Sequence, residues 1–173
     1  WYTPAAIAYG VGAATMPKPD PAAQALWREI GLLGAEVRTA GPALMTACPV
    51  EVPVEAPKNL WVRFLADGDV TLVLLVVNDQ YVNTDKGTDL TPVKDASVTV
   101  RLPNWMKPAE TFEITSAGTQ PLAARASASG LRIPLGDFDV TKLIVITADP
   151  KLRARLQGYY ETNVTADPTP QSP

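Results

Sequence analysis

Apolar residues in this chain follow one spacing up to about residue 48 and another beyond it, and few folds accommodate both. Leu26, Ile30, Leu33 and Val37 recur at intervals of four, three and four, with Ala23 and Trp27 beside them. That spacing lays one apolar stripe along an α-helix. Asp20-Pro21 supplies a capping side chain and a proline suited to the first helical turn, and Gly41-Pro42 supplies the stop. Gly31 and Gly34 each cost up to about 1 kcal/mol inside a helix, which is tolerable where bare backbone lets another element pack close.

After Pro49 the period falls to two. Leu60, Val62 and Phe64 alternate with Trp61, Arg63 and Leu65. Val98, Val100 and Leu102 alternate with Ser97, Thr99 and Arg101, and Phe112 and Ile114 with Thr111, Glu113 and Thr115. Leu131, Ile133 and Leu135 alternate with Arg132 and Pro134, and 143–147 closes the set. The run 70–77 is apolar on both faces apart from Thr71, as in a central strand covered on both sides. Asp67-Gly68-Asp69, Ala117-Gly118 and Ser129-Gly130 are turns. Pro103, Pro121 and Pro134 mark strand ends or sheet edges. Seven or eight short strands at this spacing predict a mainly β chain, an antiparallel β-sandwich preceded by a helical segment.

Three zones follow: a helical lead-in over 1–48, the sandwich over 49–156, and a flexible tail or linker over 157–173. In the first, Thr3-Pro4 opens a short helix that ends near Gly10, and 11–16 is a small-residue run suited to a buried strand. In the last, 151–156 supports one helical turn, and the Pro, Thr and Asp content beyond it suits a loose end.

Composition removes several functions. The 173 residues carry a net charge of -3, with no basic run longer than two residues, so nucleic acid is not an expected partner. No apolar run reaches the roughly 18 residues that cross a bilayer. The sequence contains no histidine, which excludes Ser-His-Asp, Cys-His and His-metal sites within it. The one cysteine, Cys48, has no partner for an internal disulfide and reads as a buried, inert thiol. No metal or other cofactor is called for. The chain starts at Trp1 with an apolar stretch and reads as a piece of something longer.

Few residues remain that could carry chemistry. Glu29 and Glu36 share a side of the predicted helix, but about 10 Å of rise separates them. With Arg28 and Arg38 beside them, they read as a solvated face rather than an acid/base pair. The oxygen-rich stretch 78–89 matches no calcium-loop spacing and holds Lys86, so it reads as a polar surface loop. Gly10-Val11-Gly12 lacks the rest of a dinucleotide fingerprint, and Asn163-Val164-Thr165 fits a glycan-acceptor pattern that is common by chance. Three aromatics of the sandwich could stack on a sugar ring. Trp61, inside a strand, is expected to pack. Tyr81, after a turn, and Trp105, in the loop Pro103-Asn104-Trp105-Met106, are the candidate ligand-binding residues.

The order of these features resembles the C-terminal part of (β/α)8-barrel glycoside hydrolases. Residues 2–10 look like a late barrel helix, Gly12-Ala13-Ala14-Thr15-Met16 like the final barrel strand, and 21–44 like the final barrel helix. Leu60-Trp61-Val62-Arg63, Val73-Leu74-Leu75-Val76-Val77-Asn78 and the closing run 140–147 are similar to strands of the terminal sandwich. The resemblance covers about residues 1–156 and rests on hydrophobic pattern. It implies that the catalytic carboxylates lie upstream of Trp1, so no catalytic residue is assigned to this chain. It also implies a secreted or periplasmic enzyme, with the catalytic barrel as this segment's partner and carbohydrate as a further one. The alternatives are a free-standing carbohydrate-binding module and a structural or adhesive surface domain.

Overall fold

The computed structural model describes residues 21–68, 70–85 and 87–164, with side chains from residue 28 onward and those of 87 and 88 excepted. The expected helix and strand before residue 21, and the tail beyond 164, lie outside the described residues. Helix α1 spans Pro21–Leu44. Strands follow at β1 Cys48–Val50, β2 Val54–Glu55, β3 Leu60–Asp67, β4 Thr71–Asn78, β5 Tyr81–Thr84 and β6 Gly87–Leu90. Then come β7 Val93–Val100, β8 Glu110–Thr115, β9 Gly118–Pro121, β10 Arg125–Ser127, β11 Gly130–Phe138 and β12 Thr141–Thr147, before helix α2 Leu152–Asn163. The chain divides into two units, residues 1–34 and 35–173. In the first, Ile30 and Leu33 are half-buried and Leu32 is exposed.

The second unit is the expected mainly β, antiparallel sandwich. A six-stranded sheet runs in the order β1-β3-β4-β12-β8-β9, and a four-stranded sheet in the order β10-β11-β7-β2. Strands β5 and β6 form a separate hairpin. The facing sides bury Leu60, Val62, Phe64, Leu72, Leu74, Val76, Ile144 and Ile146 against Val98, Val100, Ile133 and Leu135. Each such side chain contributes about 1.5–3 kcal/mol when fully buried.

The six-stranded sheet has a second apolar face. There Val73, Phe112, Ile114, Leu143 and Val145 pack with Ala40, Ala43, Leu152 and Leu156. Ala40 and Ala43 lie three apart on α1, and Leu152 and Leu156 four apart on α2, so each pair shares one helix face. Double coverage explains why β4 and β12 are apolar at consecutive positions rather than alternating. Where the two strands meet at one end, Thr71 and Thr147 are directly paired and their buried hydroxyls lie 3.0 Å apart.

Helix α1 continues through Gly41-Pro42 to Leu44, correcting the expected stop. The helical bond from Met45 N–H to Gly41 C=O (3.0 Å) closes beyond the proline, so only one ladder donor is lost near the terminus. Among the described residues, a Cβ at Gly31 or Gly34 would meet nothing within 4 Å. Helix α2 is twelve residues long where a single turn was expected, and it occupies the start of the predicted loose end. It is fixed by Gln157, whose Oε1 accepts from Thr119 N–H (2.8 Å), and by Arg38, which donates to Asn163 C=O (2.7 Å). Pro121 ends edge strand β9, but Pro134 sits inside β11. It lies past the stretch paired with β10 and beside a register shift, where a missing N–H is tolerated.

Asn78 gathers the opposite end of the sheet. It is 3% exposed; its Nδ2 donates to Thr91 C=O (2.7 Å) and Asp139 C=O (2.8 Å), and its Oδ1 accepts from Gln80 N–H (3.0 Å). Asn78→Asp puts a carboxylate against two carbonyl oxygens and is expected to cost about 3 kcal/mol in urea unfolding at neutral pH. Gly130 has φ +141, and a Cβ there would lie 2.4 Å from Val100 C=O. Gly130→Ala is therefore expected to lower stability by about 2–4 kcal/mol, read from the same unfolding curves.

Candidate functional site

The two aromatics singled out as ligand contacts are exposed, Tyr81 at 51% and Trp105 at 48%. The topology keeps them apart. Tyr81 follows β4 past Asn78, at the end where Val77 pairs with Thr141. Trp105 precedes β8, whose first residue Glu110 pairs with Thr147, which in turn pairs with Thr71. The ladder between those ends is seven residues long, or about 20 Å at the rise of an extended strand. One sugar ring cannot touch both. Trp105 is turned outward because its neighbour Met106 is buried in the inter-sheet core and donates its N–H to Pro103 C=O (2.9 Å).

Trp61 departs from the expected packing: it is 42% exposed. Leu60, Val62 and Phe64 take the inward positions of β3, which leaves Trp61, Arg63 and Leu65 on the other face. Leu65 packs into the helix-covered core, while the Arg63 guanidinium lies 4.2 Å over the Trp61 ring. The alternation in the sequence carries this signal, since Trp61 is out of phase with the inward residues. Cys48, expected to be buried, is exposed, because β1 is the edge strand of its sheet.

The oxygen-rich stretch is organised by its backbone. Tyr81 to Thr84 pair with Leu90 to Gly87 as a hairpin, and Asn78 is committed to the loops around it. Among the described residues, no group of three or more His, Cys, Asp or Glu could hold a metal. No described helix is long and apolar enough to cross a membrane.

The carboxylates considered for acid/base work serve other ends. Glu29 is exposed. Burial raises the Glu36 carboxyl above its ordinary value; the Ser116 N–H that it accepts pulls it down, and the charge of Glu113 pushes it up again. Glu113 itself is paired with Lys142 at 2.8 Å, both side chains only 13–14% exposed. Asp149 is held below the ordinary carboxylate range by the N–H of Lys151 and the ion pair with Arg155. Glu36, Glu113 and Asp149 thus hold neighbouring segments of the fold together through Ser116, Lys142 and Arg155.

No family model and no curated protein matches the sequence. Among solved structures, α-L-fucosidase isoenzyme 2 from Paenibacillus thiaminolyticus is similar with TM-score 0.43 and 10% identity, over 57% of this chain and 15% of that one. A cycloisomaltooligosaccharide glucanotransferase from Paenibacillus sp., complexed with cycloisomaltoheptaose, is similar with TM-score 0.44 and 11% identity, over 58% of this chain and 18% of that one. The chain thus spans a small part of either enzyme's length.

A carboxyl raised on folding contributes stability that is fully present below its unfolded pKa and lost as pH rises through its folded pKa. Glu36→Gln keeps an acceptor for Ser116 and removes the charge. It is expected to raise Tm at pH 7 by about 1–2 °C and to change nothing near pH 3, where the carboxyl is protonated in both states. Thermal melts at the two pH values check this.

Proposed function

We propose that the chain is a non-catalytic β-sandwich portion of a carbohydrate-active enzyme, a glycoside hydrolase, and that it supports the catalytic barrel. The second apolar face of the six-stranded sheet carries the reading. A sandwich that stands alone commonly leaves its outer faces to water. Here Val73, Phe112, Ile114 and Val145 receive Ala40 and Ala43 from a helix that enters from the N-terminal side. Small residues at that contact let helix and sheet approach closely. The order of elements, a long helix and then a sandwich, is that of the terminal segment of the barrel enzymes the sequence resembles. On this reading the parent enzyme works on glycans outside the cell or in the periplasm.

Antibody raised against the chain is expected to detect, in source cells or medium, a protein well above 18.5 kDa that co-purifies with glycosidase activity. The isolated chain is expected to turn over neither aryl glycosides nor polysaccharides. A native product near the chain's own mass, or hydrolysis by the chain alone, would sink the proposal.

The half-exposed Tyr81 and Trp105 favour one alternative, a carbohydrate-binding module. Their separation then requires two contacts along an extended glycan, or one site only. Binding of a soluble glycan that Trp105→Ala abolishes would support that alternative.

A further inference from the structure

The four-stranded sheet turns its other face outward, and the charges there do not cancel. Arg101 is paired with Glu55 (3.0 Å) and Lys94 with Asp137 (2.9 Å). Arg125 and Arg132 remain. They are direct cross-strand partners on β10 and β11, and among the described residues neither is paired with a carboxylate. Like charges opposite one another destabilise a strand pair. Arg132 Nε donates to Ser97 Oγ (3.3 Å) on the next strand. Both arginines line one shallow hollow of about 350 Å³ with Asp95, Ser97, Pro134 and Gly136.

The rim of that hollow is shaped by strained backbone. Asp95 has φ 45, a conformation rare in residues other than glycine, and its N–H donates to Asp137 Oδ1 (3.0 Å). The ladder between β7 and β11 shifts register on both sides of Gly136, itself at φ +63. Bulges of this kind re-aim side chains and occur often beside functional sites.

We propose that this hollow binds an acidic sugar residue, with Arg125 and Arg132 receiving its oxyanion and Asp95 and Ser97 its hydroxyls. The guanidinium pair matches a carboxylate or sulfate group, which relieves their mutual repulsion through charge-assisted hydrogen bonds. Asp95 in the same hollow opposes a bare anion and accepts from a hydroxyl, so a hydroxylated anion satisfies all four side chains. Pro134 and Gly136 leave a low floor on which the C–H face of a sugar ring can rest. The assignment does not depend on the chain's belonging to a larger enzyme, nor on Tyr81 or Trp105.

The test is a titration of the ¹⁵N-labelled full chain in about 150 mM salt, where weak exposed-charge attraction is screened. The probes are D-galacturonate, galactose 6-sulfate, D-galactose and inorganic phosphate. An acidic sugar is expected to shift the amides of Ser97, Arg125, Arg132 and Gly136, and galactose is expected to leave them in place. Response to galacturonate alone assigns a carboxylate site and response to the sulfate ester alone a sulfate site; either, or both together, upholds the assignment. Arg132→Lys, which keeps the charge and loses the fork, is expected to weaken binding about tenfold. Arg125→Gln is expected to do the same without lowering Tm, because a like-charged pair has been removed. The proposal is overturned if no acidic sugar moves these amides, if galactose or phosphate moves them equally, or if both variants retain full affinity.

Discussion

The structure depends on one sheet being dry on both sides. Strands β4 and β12, paired over seven residues, lie between the inter-sheet core and the helix-covered core. Every side chain they bury must then be apolar or internally bonded. The sequence meets this with Leu and Val at consecutive positions, Thr71 and Thr147 hydrogen-bonded to each other, and Asn78 satisfied by three backbone groups. No buried side-chain polar atom among the described residues is left without a partner. The edge strands β1 and β9 are shorter and more exposed, as their position requires.

Much of this was legible from spacing alone. The long strands announce themselves by period-two alternation, and β4 by its uninterrupted apolar run, because each pattern follows directly from which faces are buried. The short elements were not legible. Strands β1, β2 and β10 have two or three residues each, too few to show a period, and they exist because a neighbour supplies the ladder. Helix α2 shows one turn of apolar pattern in the sequence because only Leu152 and Leu156 are buried along it. Gln157 and an arginine on another helix hold the rest of it, through contacts with no local signature. Pro42 misled because a proline near a helix's last turn costs far less than one in the middle.

Candidate ligand residues were harder still. Tyr81 and Trp105 could be named from their loops, yet their separation follows from strand order, which the alternation does not encode. Arg132 reads as an ordinary outward residue of a strand, and Arg125 stands in a strand too short to show a period. Their facing position arises from a hairpin register, and among the described residues neither forms an ion pair, because Glu55 and Asp137 are taken by Arg101 and Lys94. Site information of this kind lies in the pairing of distant segments.

That pairing also governs how the chain is made. Thr71 and Thr147 are 76 residues apart, so β4 leaves the ribosome long before the strand that will lie beside it. At synthesis rates of about 5–20 residues per second, it waits about 4–15 s with an open edge. During that interval β3 can pair with one side of β4, and the other side remains a sticky template for any extended chain nearby. Chaperone demand should therefore peak late in translation and fall once residues 141–147 have emerged.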